Sequence, residues 1–141
     1  MANAEEAQRP EAIRRWHRVV DAMRQGGDDS LLFDLLDEDA VFLSPVVHTP
    51  QQGRQLTFAY LSAATKVFAR SQFRYAGEWY AERSAVLEFE AEIDGIQING
   101  VDMIWWNDEQ RITRFKVMVR PLKAVNLLHQ MMAGQLQNAA G

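Results

Sequence analysis

Apolar residues recur with two different periods along this chain, and the change from one to the other falls at Arg70. From about Pro10 to Gln25, Ile13, Trp16, Val20 and Met23 stand at helical spacing, and Gly26-Gly27 supplies a stop. Asp28, Asp29 and Ser30 offer N-cap oxygens to a short second helix carrying Leu31, Leu32, Leu35 and Leu36. Ala40 to Ser44 reads as a short strand ended by Pro45, and Pro50 with Gly53 brackets a loop that contains His48. A third helix follows over roughly Arg54 to Ala69, with Leu56, Tyr60, Ala63, Ala64 and Val67 as its inner stripe.

Beyond Arg70 the period is two. Phe73, Tyr75 and Trp79 mark a second strand, and in a third Leu87, Phe89, Ala91 and Ile93 alternate against Glu88, Glu90 and Glu92. Asp94-Gly95 suits the positive φ angles of a type I′ hairpin, so the strand after it pairs antiparallel with the glutamate-bearing one. Asn107 to Gln110 makes the next turn, and Ile112 to Arg120 forms a last strand stopped by Pro121. Leu122, Val125, Leu128 and Met132 give a short C-terminal helix, with a frayed tail after Gly134. The sum is an α+β domain in which helices pack on one face of a curved antiparallel sheet.

The chain's 141 residues, 48% of them hydrophobic, suffice for one core and are too few for two ordinary domains. A single domain over 1–141 is expected, with its core spanning about 10–133. No apolar run approaches membrane-spanning length, and Met1-Ala2-Asn3-Ala4-Glu5-Glu6 lacks the basic then apolar order of a secretory signal. A soluble, cytoplasmic protein is the expectation. With no cysteine, thiol nucleophiles, disulfides and thiolate metal sites are excluded. A net charge of −4 with dispersed basic residues argues against a nucleic-acid footprint.

One acid changes the picture. In Ile96-Gln97-Ile98-Asn99-Gly100-Val101-Asp102-Met103-Ile104-Trp105-Trp106, Asp102 is the only charge, and alternation places it beside Ile98, Ile104 and Trp106. A carboxylate among apolar neighbours has its pKa raised by desolvation and is either a satisfied structural group or a site residue. Glu88, Glu90 and Glu92 fall on the opposite, solvated face, and three histidines without cysteine give no zinc spacing, so no metal or other cofactor is expected. Val101, Met103 and Trp105 make the outer face of Asp102's strand apolar, which suggests a homodimer built on that face.

Three segments stand out: Ser44-Pro45-Val46 with Gly53 at the head of a helix, Gly100-Val101-Asp102-Met103-Ile104, and Phe115-Lys116-Val117-Met118-Val119-Arg120-Pro121-Leu122. In order and spacing they resemble the NTF2-like superfamily, which includes the SnoaL-like polyketide cyclases and the ketosteroid isomerases. The resemblance implies a cone-shaped α+β barrel enclosing one apolar pocket, usually in a homodimer. It also implies that Asp102 matches the aspartate that the isomerases keep protonated in their oxyanion hole. The isomerase's base, an aspartate directly before the first strand's proline, corresponds to Ser44, and its oxyanion tyrosine falls near Val19 or Val20. Epoxide hydrolysis in such a cone would need an arginine near this acid, where the chain has Gly100.

Asp102 is therefore the candidate catalytic residue, as acid or base. Trp16, His17, Ser44, His48, Tyr60, Ile104 and Trp106 are the candidate ligand-binding residues. Two readings stand side by side. One is a cofactor-independent isomerase, cyclase or dehydratase acting on a small hydrophobic carbonyl compound; the other is a non-catalytic ligand-binding or accessory domain.

Overall fold

The computed structural model describes residues 8–69 and 71–140, with side chains through 137. Met1 to Glu6, on which the reading of the chain's start rested, and Arg70, where the period changes, lie outside the described residues.

Helix α1 (Glu11–Arg24) buries Ala12, Ile13, Trp16 and Val19, a stripe at helical spacing that turns Val20 to its flank. Pro10 precedes it without a capping side chain. An orphan amide of the first turn, Ala12 N–H, donates instead to Gln110 Oε1 at 3.2 Å, from the far turn between two strands. Gly26, at φ 78°, turns the chain out of the helix. Helix α2 (Ser30–Leu35) is anchored by Asp28 Oδ1, which accepts from the Ser30 amide at 3.0 Å and from its hydroxyl at 2.6 Å. Leu36 belongs to strand β1 (Leu36–Leu43), which opens before the Ala40 start that spacing predicts.

Strand β2 is the two-residue Gln51–Gln52, and helix α3 (Arg54–Ala69) follows Gly53. Buried residues of α3 are Thr57, Leu61, Ser62, Ala63 and Val67. Its inner stripe is therefore rotated from the predicted one, and Leu56 is exposed. Apolar residues lie all round this helix, so spacing alone does not fix its phase. Four strands follow: β3 (Arg74–Tyr80), β4 (Ser84–Ile93), β5 (Ile96–Trp106) and β6 (Ile112–Arg120). Asp94 and Gly95 sit at φ 51° and 79° in the predicted β4–β5 hairpin.

The six strands form one curved sheet in the order β2-β1-β6-β5-β4-β3. It is not wholly antiparallel: β1 runs parallel to β6, with Phe42 opposite Phe115. A parallel pair needs a long crossover, and everything from α3 to β5 supplies it. The C-terminal helix α4 (Leu122–Ala140) has 19 residues and is not short. It runs straight through Gly134, where the glycine penalty of about 1 kcal/mol does not end a helix seated on the core by Ala124 and Leu128.

Helices and sheet enclose two apolar clusters. One gathers α1, α2, β1 and the ends of β4–β6 around Trp16, Phe42, Ile104 and Phe115; the other joins Val67, Phe89, Ile93 and Ile98 to Leu128 of α4. Gly100 makes the second possible. A Cβ there would lie 2.5 Å from the Met118 carbonyl oxygen and 2.5 Å from the Phe89 ring. Gly100→Ala is expected to cost about 3 kcal/mol, as an overpacked core does, read as a lower urea midpoint at unchanged slope.

Candidate active site

Between the two clusters lies a cavity with about 80 Å³ of room for water centres, enough for several waters. Its wall is aromatic and aliphatic. Trp16 meets Phe115 at 4.9 Å between ring centroids, and Phe73 stacks on Phe89 at 5.3 Å. Asp102 is its buried acid. β5 is regular here, so Ile98, Gly100, Asp102, Ile104 and Trp106 all face inward, and Asp102 is flanked across the sheet by Leu87 and Val117.

The partner of Asp102 comes from two strands away. Tyr75 of β3 reaches across β4 and donates its hydroxyl to Asp102 Oδ2 at 2.6 Å. Trp16 Nε1 donates to the same hydroxyl at 2.9 Å. The chain of donors has one direction, because an indole N–H can only donate. Tyr75, its oxygen taken by the indole, gives its own proton to Oδ2, so Oδ2 is the acceptor. When Asp102 is neutral, its proton is accordingly on Oδ1, which no hydrogen bond among the described residues engages.

Burial pushes the Asp102 carboxyl up to about 7, against the pull of the Tyr75 hydrogen bond, which lowers it. Both protonation states are thus populated near neutral pH. Tyr75 itself is driven well above the usual phenol range by burial, then by the Asp102 charge and hydrogen bond, so it stays a neutral donor. Replacing Tyr75 by Phe removes the bond that favours the carboxylate. Tyr75→Phe is expected to raise the Asp102 pKa further and to cost about 2 kcal/mol by also orphaning the Trp16 indole, read by carboxyl NMR titration and urea denaturation.

Next to this triad is a second polar group. Glu78 accepts from Tyr80 at 2.7 Å, shares a 2.7 Å hydrogen bond with His17 Nε2, and lies 3.5 Å from the Arg9 guanidinium. Burial pushes its carboxyl up, but these hydrogen bonds and the His17 and Arg9 charges outweigh that and hold it below the usual range. This cluster ties α1 to β3 alongside the Trp16–Tyr75 bond and does not line the cavity.

Of the residues singled out in the sequence, Asp102, Trp16 and Ser44 line the cavity. Ser44 Oγ accepts from the Val46 amide at 3.1 Å, which holds the turn at the strand's end. His17 points to Glu78 instead. His48 is exposed on a shallow outer groove, and Tyr60 packs half-buried against Phe42 at 5.7 Å. Ile104 and Trp106 are buried in the first cluster, short of the cavity. Tyr75, Glu78 and Arg24 were not singled out. Tyr75 had one signal, a phenol on the strand paired with the Leu87–Phe89 strand. Glu78 had none, because a bulge between Tyr75 and Gly77 resets the alternation and turns Glu78 inward and Trp79 outward.

Among the described residues no three acidic or histidine side chains converge where they could hold a metal, and no helix is long and apolar enough to cross a membrane. A curved sheet with helices packed on it over one buried acid is the architecture of the NTF2-like cone fold. The chain belongs to the NTF2-like superfamily. It is similar to a steroid delta-isomerase from Pseudomonas aeruginosa, at 35% identity and a TM-score of 0.82 over 92% of this chain and 91% of that one. An uncharacterized protein with a cystatin-like fold from Silicibacter pomeroyi matches at 32% identity and 0.81, over 92% and 88%. An NTF2-like protein from Mesorhizobium loti shares the fold alone, at 22% identity and 0.64 over 78% and 91%. No family model matches the chain, and neither does any curated protein sequence.

Proposed function

We propose that the protein binds a small apolar carbonyl compound in this cavity and polarises its oxygen with Asp102. The observation that carries the reading is the orientation of the triad: Trp16 donates to the Tyr75 hydroxyl, Tyr75 occupies Oδ2, and Oδ1 of this cavity-lining acid is left as its donor. A carbonyl oxygen placed there accepts the Oδ1 proton's hydrogen bond and is polarised in an apolar setting, where such a bond is stronger than in water. Similarity to a steroid delta-isomerase supports chemistry of the isomerase or lyase type.

A second reading, ligand holding without turnover, is favoured by Ser44. Its hydroxyl stands where the isomerase pattern has a base, and among the described residues no second carboxylate or imidazole lines the cavity. The two readings are separated by incubating a cyclic enone with the protein in heavy water. Binding that shifts the Asp102 carboxyl signal, with α-hydrogen exchange lost in Asp102→Asn, marks an enzyme. The same shift without exchange marks a binder, and no shift at all removes both readings.

We also propose a second copy of this chain on the outer sheet face, where Trp79 and Met118 are 59% and 46% exposed beside half-buried Val101, Met103 and Trp105. A monomer in light scattering at micromolar concentration would remove that proposal.

A further inference from the structure

Two charged residues line the cavity, and Asp102 is the buried one. Of the residues that line the cavity only Arg24 and Ala69 are exposed, and they stand at the ends of α1 and α3, so that the mouth opens between these two helices. Arg24 is the one cation of the lining among the described residues.

Its guanidinium is held in place. Nη2 donates to the Phe73 backbone carbonyl, and the group lies 5.7 Å from the centre of the Phe73 ring. An ordinary surface arginine at a helix C-terminus would answer to the helix dipole alone. This one spends one N–H on Phe73, just ahead of β3, and keeps its remaining donors, and no carboxylate among the described residues pairs with it. A planar cation with spare donors, anchored on an aromatic face beside an apolar opening, suits a planar oxyanion.

We propose that the ligand is an oxo-carboxylic acid, with its carbonyl at Asp102 and its carboxylate on Arg24 at the mouth. The inference rests on the reading of Asp102 as the carbonyl's donor and adds the second anchor. The two anchors select differently. The buried acid rejects an anion, because a carboxylate entering there would meet a carboxyl that is half ionised at neutral pH, whereas the mouth attracts one in a partly solvated setting. A bifunctional ligand is thereby oriented, carbonyl first.

The test compares a medium-chain oxo-carboxylic acid with its own methyl ester, which has the same length and carbonyl but no charge. Affinities are measured by tryptophan fluorescence or calorimetry for the unsubstituted protein, Arg24→Gln and Lys66→Gln. Lys66 is exposed on α3 and does not line the cavity, so its variant makes the same charge change without touching the mouth. The acid is expected to bind about fivefold more tightly than the ester, as a partly exposed ion pair allows. That preference is expected to vanish in Arg24→Gln, persist in Lys66→Gln and shrink with added salt, while ester binding stays the same in all three proteins. Equal binding of acid and ester, or a preference that survives Arg24→Gln or is equally lost in Lys66→Gln, overturns the second anchor and leaves the Asp102 reading standing. If neither compound binds or shifts the Asp102 carboxyl signal, both fall together.

Discussion

Asp102→Asn is expected to leave stability at pH 4 nearly unchanged and to raise it by roughly 4 kcal/mol at pH 8. The carboxyl titrates at about 7 in the folded protein because burial penalises its charge. In the unfolded chain it titrates near the ordinary value of about 4. Between those two values the folded state holds a proton that the unfolded state has released, so stability falls as pH rises through the window. The penalty is absent below about 4 and complete above about 7. Asparagine carries no charge and keeps a carbonyl oxygen for the Tyr75 hydroxyl, so it removes the penalty without breaking the triad. Urea denaturation of both proteins across this range reads the effect as two curves that coincide in acid and diverge toward alkali. The same change removes the acid from the cavity and is expected to abolish any exchange activity. A site residue that destabilises its own fold is the usual signature of a group kept for function.

Phe115→Ala is the second large effect, expected to cost about 4 kcal/mol. Phe115 is 1% exposed, sits against Trp16 at 4.9 Å and Phe42 at 6.3 Å, and pairs across β1 and β5. Its ring also forms part of the cavity wall. Truncation therefore both removes burial and merges new empty space with the cavity, and the neighbours cannot close over a gap walled by strands. The loss appears as a lower urea midpoint. Because the enlarged space is apolar, the variant is expected to bind bulkier hydrophobic ketones than the parent, recovering part of the lost stability in proportion to ligand added.

Much of the fold was legible because its strands are regular where it matters. Period-two alternation along β5 places Asp102 with Ile98, Ile104 and Trp106, and the structure has that face buried throughout. Asp94-Gly95 fixes the hairpin before it. Local signals fail where pairing is distant or the period breaks. Nothing in β1 announces that it lies parallel to β6, since that depends on how the intervening chain crosses over. The bulge at β3 defeats alternation, and with it the inward turn of Glu78. Ile104 and Trp106 share a face with Asp102 but lie further along a curved sheet, so facing inward does not bring them to the cavity. His17 follows Trp16 on α1, yet one residue is 100° of helix, which is enough to move it from the cavity to Glu78. Tyr75 could be recognised only once β3 and β5 were known to flank the same strand.

Asp102 is a raised-pKa acid on the wall of an apolar cavity. Carboxyl-carbon NMR titration of Asp102, assigned with Asp102→Asn, tests it most directly. The expected result is a pKa of about 7 that moves upward when an apolar carbonyl ligand binds, because the ligand takes a hydrogen bond from the neutral form. A value at or below about 4, indifferent to such ligands, would contradict it and make Asp102 a paired structural carboxylate.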